Sequence, residues 1–216
     1  KALSRLFNRK TKIQAASGRT DTGVHAECQV VNFKTESRLP AAQIQKALNG
    51  LLPPQMAVKS SEEVSKNFHA RYHAKSKVYE YRILNQPVRS PLQAGRVWHI
   101  TYRLNLANLR KGIKLLTGCH DFQSFCASGS KAEKEKNTVR TIKCFELKKK
   151  GALLIFRIEA NGFLYHMVRN LIGTLVELGQ GRITLGELRQ ILHSRDRRCA
   201  GRTAPASGLC LTAVRY

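Results

Sequence analysis

The stretch "TIKCFELKKKGALLIFRIEA", Thr141 to Ala160, decides the fold class. Two runs rich in β-formers, Thr141–Lys148 and Leu153–Ala160, flank "KKKGA", a short basic segment with a glycine. That arrangement predicts a β-hairpin. Upstream, "VYEYRIL" at Val78–Leu84 alternates as a strand with Tyr79, Tyr81 and Ile83 on one face. Leu209–Val214 predicts a closing strand. Helices fall between these strands. Leu39–Leu51 has Pro40 in its first turn and Ile44, Ala47, Leu48 and Leu51 at helical spacing, and ends at Asn49-Gly50. Leu104–Leu116 is amphipathic through Leu106, Leu109, Ile113 and Leu116, with Gly118 after it. "TLGE" at Thr184–Glu187 is a capping box that opens a helix to about His193. The regular βαβ rhythm of a parallel sheet is missing. The expected class is α+β, with a mixed, mostly antiparallel sheet and helices packed on it.

The chain has 216 residues, enough for one large domain or two small ones with a real core. It carries 38 Lys and Arg against 14 Asp and Glu, a net charge of +24, and such a field attracts polyanions, nucleic acid first. A membrane is the weaker partner, since no apolar run approaches the roughly 18 residues that span a bilayer. The opening "KALSRLFNRK" has no apolar signal segment. Six scattered cysteines without a C-x-x-C pair fit reduced thiols in the cytoplasm. Cys119, His120 and Cys126 match no standard zinc spacing, and His69 and His73 lack the glutamate of an H-E-x-x-H site, so no metal is expected. Neither G-x-x-x-x-G-K-[ST] nor G-x-G-x-x-G occurs, and no nucleotide cofactor is expected. Ser128–Arg140, "SGSKAEKEKNTVR", is polar enough to be a loop.

Only three Asp occur in this basic chain: Asp21, Asp121 and Asp196. Asp121 in "CHDF" fits a turn or helix start. Asp196 sits among Arg195, Arg197 and Arg198, where local ion pairing is expected. Asp21 lies in the Gly-bounded "GRTDTG", two residues after Arg19, with a buried-looking strand after it. In "NGFLYHMVRNLIGTLVELGQG", Asn161–Gly181, a wheel of about 100° per residue begun at Phe163 gives an apolar arc of roughly 220°. Arg169 falls about 20° beyond that arc. A guanidinium there either snorkels to solvent, which the pattern alone favours, or meets a carboxylate, with Asp21 first among short-armed partners.

Taken together, "GRTDTGVHA" (Gly18–Ala26), "YHAKSKVYEYRI" (Tyr72–Ile83), "TGCHDFQSFCA", "VRTI" (Val139–Ile142), "GFLYHMVRNLIGTL" (Gly162–Leu175) and "AGRTAPASGLCLTAVRY" resemble, in order and rough spacing, the TruA-type tRNA pseudouridine synthases. The resemblance runs from about Ala15 to Tyr216. It implies a pseudouridine synthase fold with an RNA-binding cleft. Residues 1–100 would be a ferredoxin-like half carrying the GRTD loop, and residues 101–216 an α+β half carrying the MVRN helix. The family's first strand, which precedes GRTD, is expected to be missing, the chain opening inside the following helix.

The implied reaction is isomerisation of uridine to pseudouridine at positions 38 to 40 of the tRNA anticodon arm, without a cofactor. Asp21 corresponds to the nucleophile, acting at ribose C1′, at uracil C6 or through a glycal. Arg169 corresponds to the cation that favours a charged carboxylate. Tyr79 corresponds to the active-site tyrosine, stacking on the base or moving a proton at C5, while Tyr81 stays in the core. Arg19 would extrude or hold the nucleotide, or simply contact a phosphate. Gly18 and Gly23 would let the loop approach RNA. His25 would order that loop rather than transfer protons. Arg71, Lys77 and Arg202 are expected on the RNA, as are some of Arg5, Arg9, Lys10, Lys75, Arg195, Arg197 and Arg198. The family also implies a homodimer in which one tRNA touches both subunits. A silent RNA-binding relative and a basic ribosome-associated protein are the competing readings. Neither accounts as well for Asp21, Tyr79 and Arg169 occurring together.

Overall fold

In the computed structural model, which describes residues 1–127 and 137–216, the expected hairpin is present. β7 (Val139–Lys150) and β8 (Leu153–Ala160) pair antiparallel, and Gly151 between them takes the positive φ of 58° that a tight turn needs. The loop expected over Ser128–Arg140 lies, through residue 136, outside the described residues.

Two compact units emerge: residues 1–19 with 29–74, and residues 20–28 with 75–216. This differs from a division at residue 100. The strand β4 (Ser76–Asn85) hydrogen-bonds along its length to β8 and to β9 (Leu209–Arg215), so it belongs with the C-terminal half. In the smaller unit, α1 (Ala2–Leu6), β1 (Ile13–Ala16), β3 (Val31–Phe33) and α2 (Ala41–Leu51) surround a thin apolar layer. Ile44 and Leu48 are its buried members on α2. β1 and β3 form a two-stranded antiparallel sheet. The asparagine Asn32 ties β3 to the end of the unit, its Oδ1 accepting from Ala70 N at 3.0 Å.

In the larger unit the sheet runs β2 (His25–Ala26), β9, β4, β8, β7, β6 (Gly118–Asp121), and β5 (Trp98–Ile100) joins β4. The β2–β9 and β4–β5 pairs are parallel and the others antiparallel. Against the sheet lie α3 (Leu106–Leu116), α4 (Met167–Gln180) and α5 (Leu185–Ser194). Their Leu109, Ile113, Leu171, Leu175 and Leu188 join one core with Tyr81, Phe156 and Ile158 from the strands. At Gly112 a Cβ would fall 2.5 Å from Leu178 Cδ2, so α3 approaches α4 as closely as a bare backbone allows. The capping box at Thr184 and Glu187 opens α5 as expected. Among the described residues no helix is long and apolar enough to cross a membrane.

Two expectations are corrected. The stretch after Asp21 is not a buried strand. It splits into exposed β2 and a β3 whose Val31 is 41% exposed, because among the described residues β3 has only the short β1 as a sheet partner. The wheel begun at Phe163 starts too early, since α4 begins at Met167. His166 before it takes left-handed φ 60° and ψ 3°, which turns the chain into the helix.

Candidate active site

Asp21 begins a tight turn in which Val24 N donates to Asp21 O at 3.0 Å and Gly23 has φ +85°. A positive φ at the third position alone marks a type II turn, for which glycine is the natural residue. The turn fixes the backbone on which the carboxylate stands. Thr20–Cys28 returns onto the sheet through β2, whose His25 and Ala26 pair with Cys210 and Leu211 of β9.

Opposite the turn stands the start of α4. Arg169 Nη1 donates to Asp21 Oδ2 at 2.8 Å, and the side chains are only 15% and 22% exposed. Arg169 therefore does not snorkel; a carboxylate 148 residues away holds it at the core's edge. Its other contacts complete the fixing: Arg169 Nε donates to Ala204 O at 2.7 Å, while Ala204 N donates to Arg169 O at 3.1 Å. The segment carrying Ala204 lies this close because of Gly173, where a Cβ would sit 1.7 Å from Arg202 O.

Tyr79 comes from β4, is 7% exposed, and packs edge-on against Phe163 with ring centroids 5.1 Å apart. Beside it the β4–β9 register slips: Val78 faces Ala213 and Tyr79 faces Leu211, with Thr212 bulged out. Such bulges adjust how side chains project next to active sites. Burial and then the negative charge of Asp21 push the Tyr79 phenol up to about 12, so it stays protonated at neutral pH. Tyr81, two residues on, is fully buried and donates to Pro205 O at 2.7 Å, which is a core role as expected.

His166 completes the cluster and was not singled out from the sequence. Its Nε2 lies 3.1 Å from Asp21 Oδ2. Its place in sequence three residues before Arg169, a spacing that on the helical wheel begun at Phe163 brings the two side chains near each other, was the available signal. Burial, together with Arg169 and Arg197, depresses its pKa below the ordinary value against the opposing pull of Asp21.

The remaining expected RNA contacts are distributed. Lys77 shares the Tyr79 face of β4 and is half-buried. His25 Nε2 contacts Gly95 O at 2.7 Å, which orders its loop. Arg202 is exposed, lies over the Trp98 ring at 4.9 Å and donates to Tyr102 Oη at 3.2 Å. Gly18, Arg19 and Arg71 belong to the smaller unit. There Gly18 O accepts from Gln29 Nε2 at 2.8 Å, Arg19 is exposed, and Arg71 lies 5.8 Å from the Tyr72 ring.

Arg197 serves the structure: it donates to Asn170 Oδ1 and Thr203 Oγ1, each at 3.0 Å. Of the arginines around Asp196, only Arg198 pairs with it, at 2.7 Å; Arg195 reaches Asp121 at 2.9 Å. Asp121 also accepts from Gln123 N and so opens a short 3-10 turn, in keeping with a helix start.

A carboxylate fixed by an arginine, with a buried phenol inside its field, can serve nucleophilic and proton-transfer chemistry. The sequence model of one family, described as tRNA pseudouridine synthase, matches residues 2–73 and 113–216. The chain is 44% identical to the tRNA pseudouridine synthase A of Thermoanaerobacter sp. (strain X514) over 216 residues, which is 100% of this chain and 87% of that protein. Its identity to the protein of the same name in Acetivibrio thermocellus is also 44%, with the same coverage. For the Geobacillus kaustophilus protein it is 42%, over 98% of this chain and 81% of that one.

Proposed function

Because the chain belongs to the tRNA pseudouridine synthase family, we propose that it isomerises uridines of the tRNA anticodon arm, at positions 38 to 40, with Asp21 as nucleophile. The Asp21–Arg169 ion pair at 2.8 Å supports this reading most, since it fixes the carboxylate whose field reaches the Tyr79 phenol. In the reaction the bond from N1 of uracil to ribose C1′ breaks, the ring turns, and a bond forms from C5 to the same C1′. C5 loses a proton and N1 gains one, so atoms and electrons balance without an oxidant or cofactor. Asp21 attacks the uridine. Arg169 pairs with the carboxylate and holds its orientation. Tyr79 lies against the base, where its hydroxyl oxygen takes the proton that C5 loses while its own proton passes to water. Extruding the base costs a few kcal/mol, which contacts from the basic surface to tRNA phosphates offset. The protein acts in the cytoplasm as a homodimer that shares one tRNA between subunits.

Transfer RNA tritiated at uridine C5 tests the reading, since pseudouridine formation releases the label to water. Release by the protein and none by Asp21→Ala is expected, with pseudouridine mapped by reverse transcription to the anticodon arm. Equal release from both would remove Asp21 from its role. Binding of tRNA without release by the parent would favour the silent RNA-binding reading.

A further inference from the structure

We infer that His166 is a positioning residue for this reaction: its Nε2 and the Arg169 guanidinium together hold Asp21 by one oxygen, Oδ2, and leave Oδ1 as the oxygen available to the uridine. The inference rests on Asp21 being the nucleophile. Both contacts fall on Oδ2, at 3.1 and 2.8 Å, and among the described residues Oδ1 makes no hydrogen bond. A carboxylate held through one oxygen by two groups cannot rotate about its Cβ–Cγ bond without losing both. It therefore meets the substrate in one orientation, and orientation alone is worth large factors in rate.

The local backbone supports a dedicated role. His166 occupies the N-cap of α4, where Ser, Thr, Asp or Asn usually accept the helix's first N–H groups. It makes no cap hydrogen bond, and it sits in the left-handed region, which is strained for a residue with a side chain. The imidazole is turned to the carboxylate instead. The Tyr165 ring lies 4.0 Å from it, centroid to centroid, tilted by 33°, and limits its movement. A carboxylate oxygen only accepts, so the tautomer that serves this contact carries its proton on Nε2. The charged groups around the ring are Asp21, Arg169 on its own helix and Arg197 from the turn 197–199, with Tyr79 reaching it by way of Asp21. Burial, Arg169 and Arg197 favour the neutral ring, and acidification would set a second cation on Oδ2 beside Arg169.

Single-turnover rates of tritium release across a pH series from neutral into acid, tRNA dissociation constants and melting temperatures of His166→Ala, His166→Gln and Asp21→Ala test the inference. Glutamine keeps an N–H donor at a similar reach. His166→Ala should slow the single-turnover rate by up to about 10²-fold while tRNA binding stays within about twofold. His166→Gln should recover most of that rate and lose the part of the acid limb that belongs to imidazole protonation. Wild-type rates in His166→Ala, or equal losses in both variants accompanied by equal drops in melting temperature, would overturn the inference. If Asp21→Ala still releases label, the nucleophile reading fails first. If Asp21→Ala is dead while His166→Ala is unimpaired, only the positioning role fails.

Discussion

Tyr79 and Tyr81 show how position within one strand separates chemistry from packing. Both lie on the same face of β4, both are buried, and each packs edge-on against an aromatic ring, Phe163 for Tyr79 and Trp98 for Tyr81. The Tyr81 hydroxyl is occupied by Pro205 O, whereas the Tyr79 phenol lies within the field of Asp21. Removing each hydroxyl should therefore have opposite consequences. Tyr79→Phe keeps the ring and should bind tRNA normally, but lose about 10²- to 10⁴-fold in single-turnover rate because the hydroxyl that moves the C5 proton is gone. Tyr81→Phe should leave the chemistry of the folded protein intact and cost about 0.5–1.5 kcal/mol in urea unfolding, because the hydrogen bond from its buried ring to Pro205 O is lost. Alkali gives a second readout for Tyr79. A phenol whose folded pKa is about 12, above its ordinary 10, stabilises the fold fully below pH 10, and that contribution disappears as pH rises through 12. The alkaline loss of stability should be smaller in Tyr79→Phe than in the parent.

At the scale of elements, α4 is the part on which the site depends, and Gly173 is its most exacting position. A methyl group there would fall 1.7 Å from Arg202 O, a backbone atom that cannot move aside without shifting residues 202–204. Those residues hold Arg169 through both bonds to Ala204. Gly173→Ala should lower stability by about 3 kcal/mol in urea unfolding and slow tritium release in the fraction that remains folded. The periodicity of α4, the alternation of β4, the hairpin at Lys148–Ala152 and the Thr184 capping box were legible in the sequence because each is a local pattern. What was not legible is non-local. The pattern alone favoured a solvent-bound Arg169, since nothing near it in sequence announces a partner 148 residues away. Phe163 and Leu164 fit the apolar arc and so disguised the true start of the helix, which His166 sets by its left-handed turn. The same residue was not singled out, because nothing near it in sequence announces Asp21 as its neighbour. The apolar letters after Asp21 suggested a buried strand, but burial needs a neighbour, and β2 and β3 have little to cover them.

At the scale of the whole molecule the governing quantity is charge. If each of the 14 acidic side chains took one basic partner, 24 of the 38 Lys and Arg would still be left over. The structure distinguishes some of the occupied ones: Arg169 and Arg197 are held by internal acceptors, and Arg198 makes bonds of 2.7 to 3.1 Å to Asp196. Arg19 is exposed and has no partner among the described residues. Binding to tRNA should then be dominated by release of counterions from phosphates, and the logarithm of the association constant should fall linearly with the logarithm of salt. With about six phosphates neutralised, affinity should drop by about 10³-fold between 50 and 200 mM salt. Individual arginines should not contribute equally. Arg19→Ala should reduce the slope by about one, as expected for a cation lost from a phosphate. Arg198→Ala should leave the slope nearly unchanged, because its guanidinium is already engaged by Asp196. Filter binding of labelled tRNA across a salt series measures both slopes. Equal slopes for the two variants would mean that internal ion pairing does not decide which cations meet the RNA.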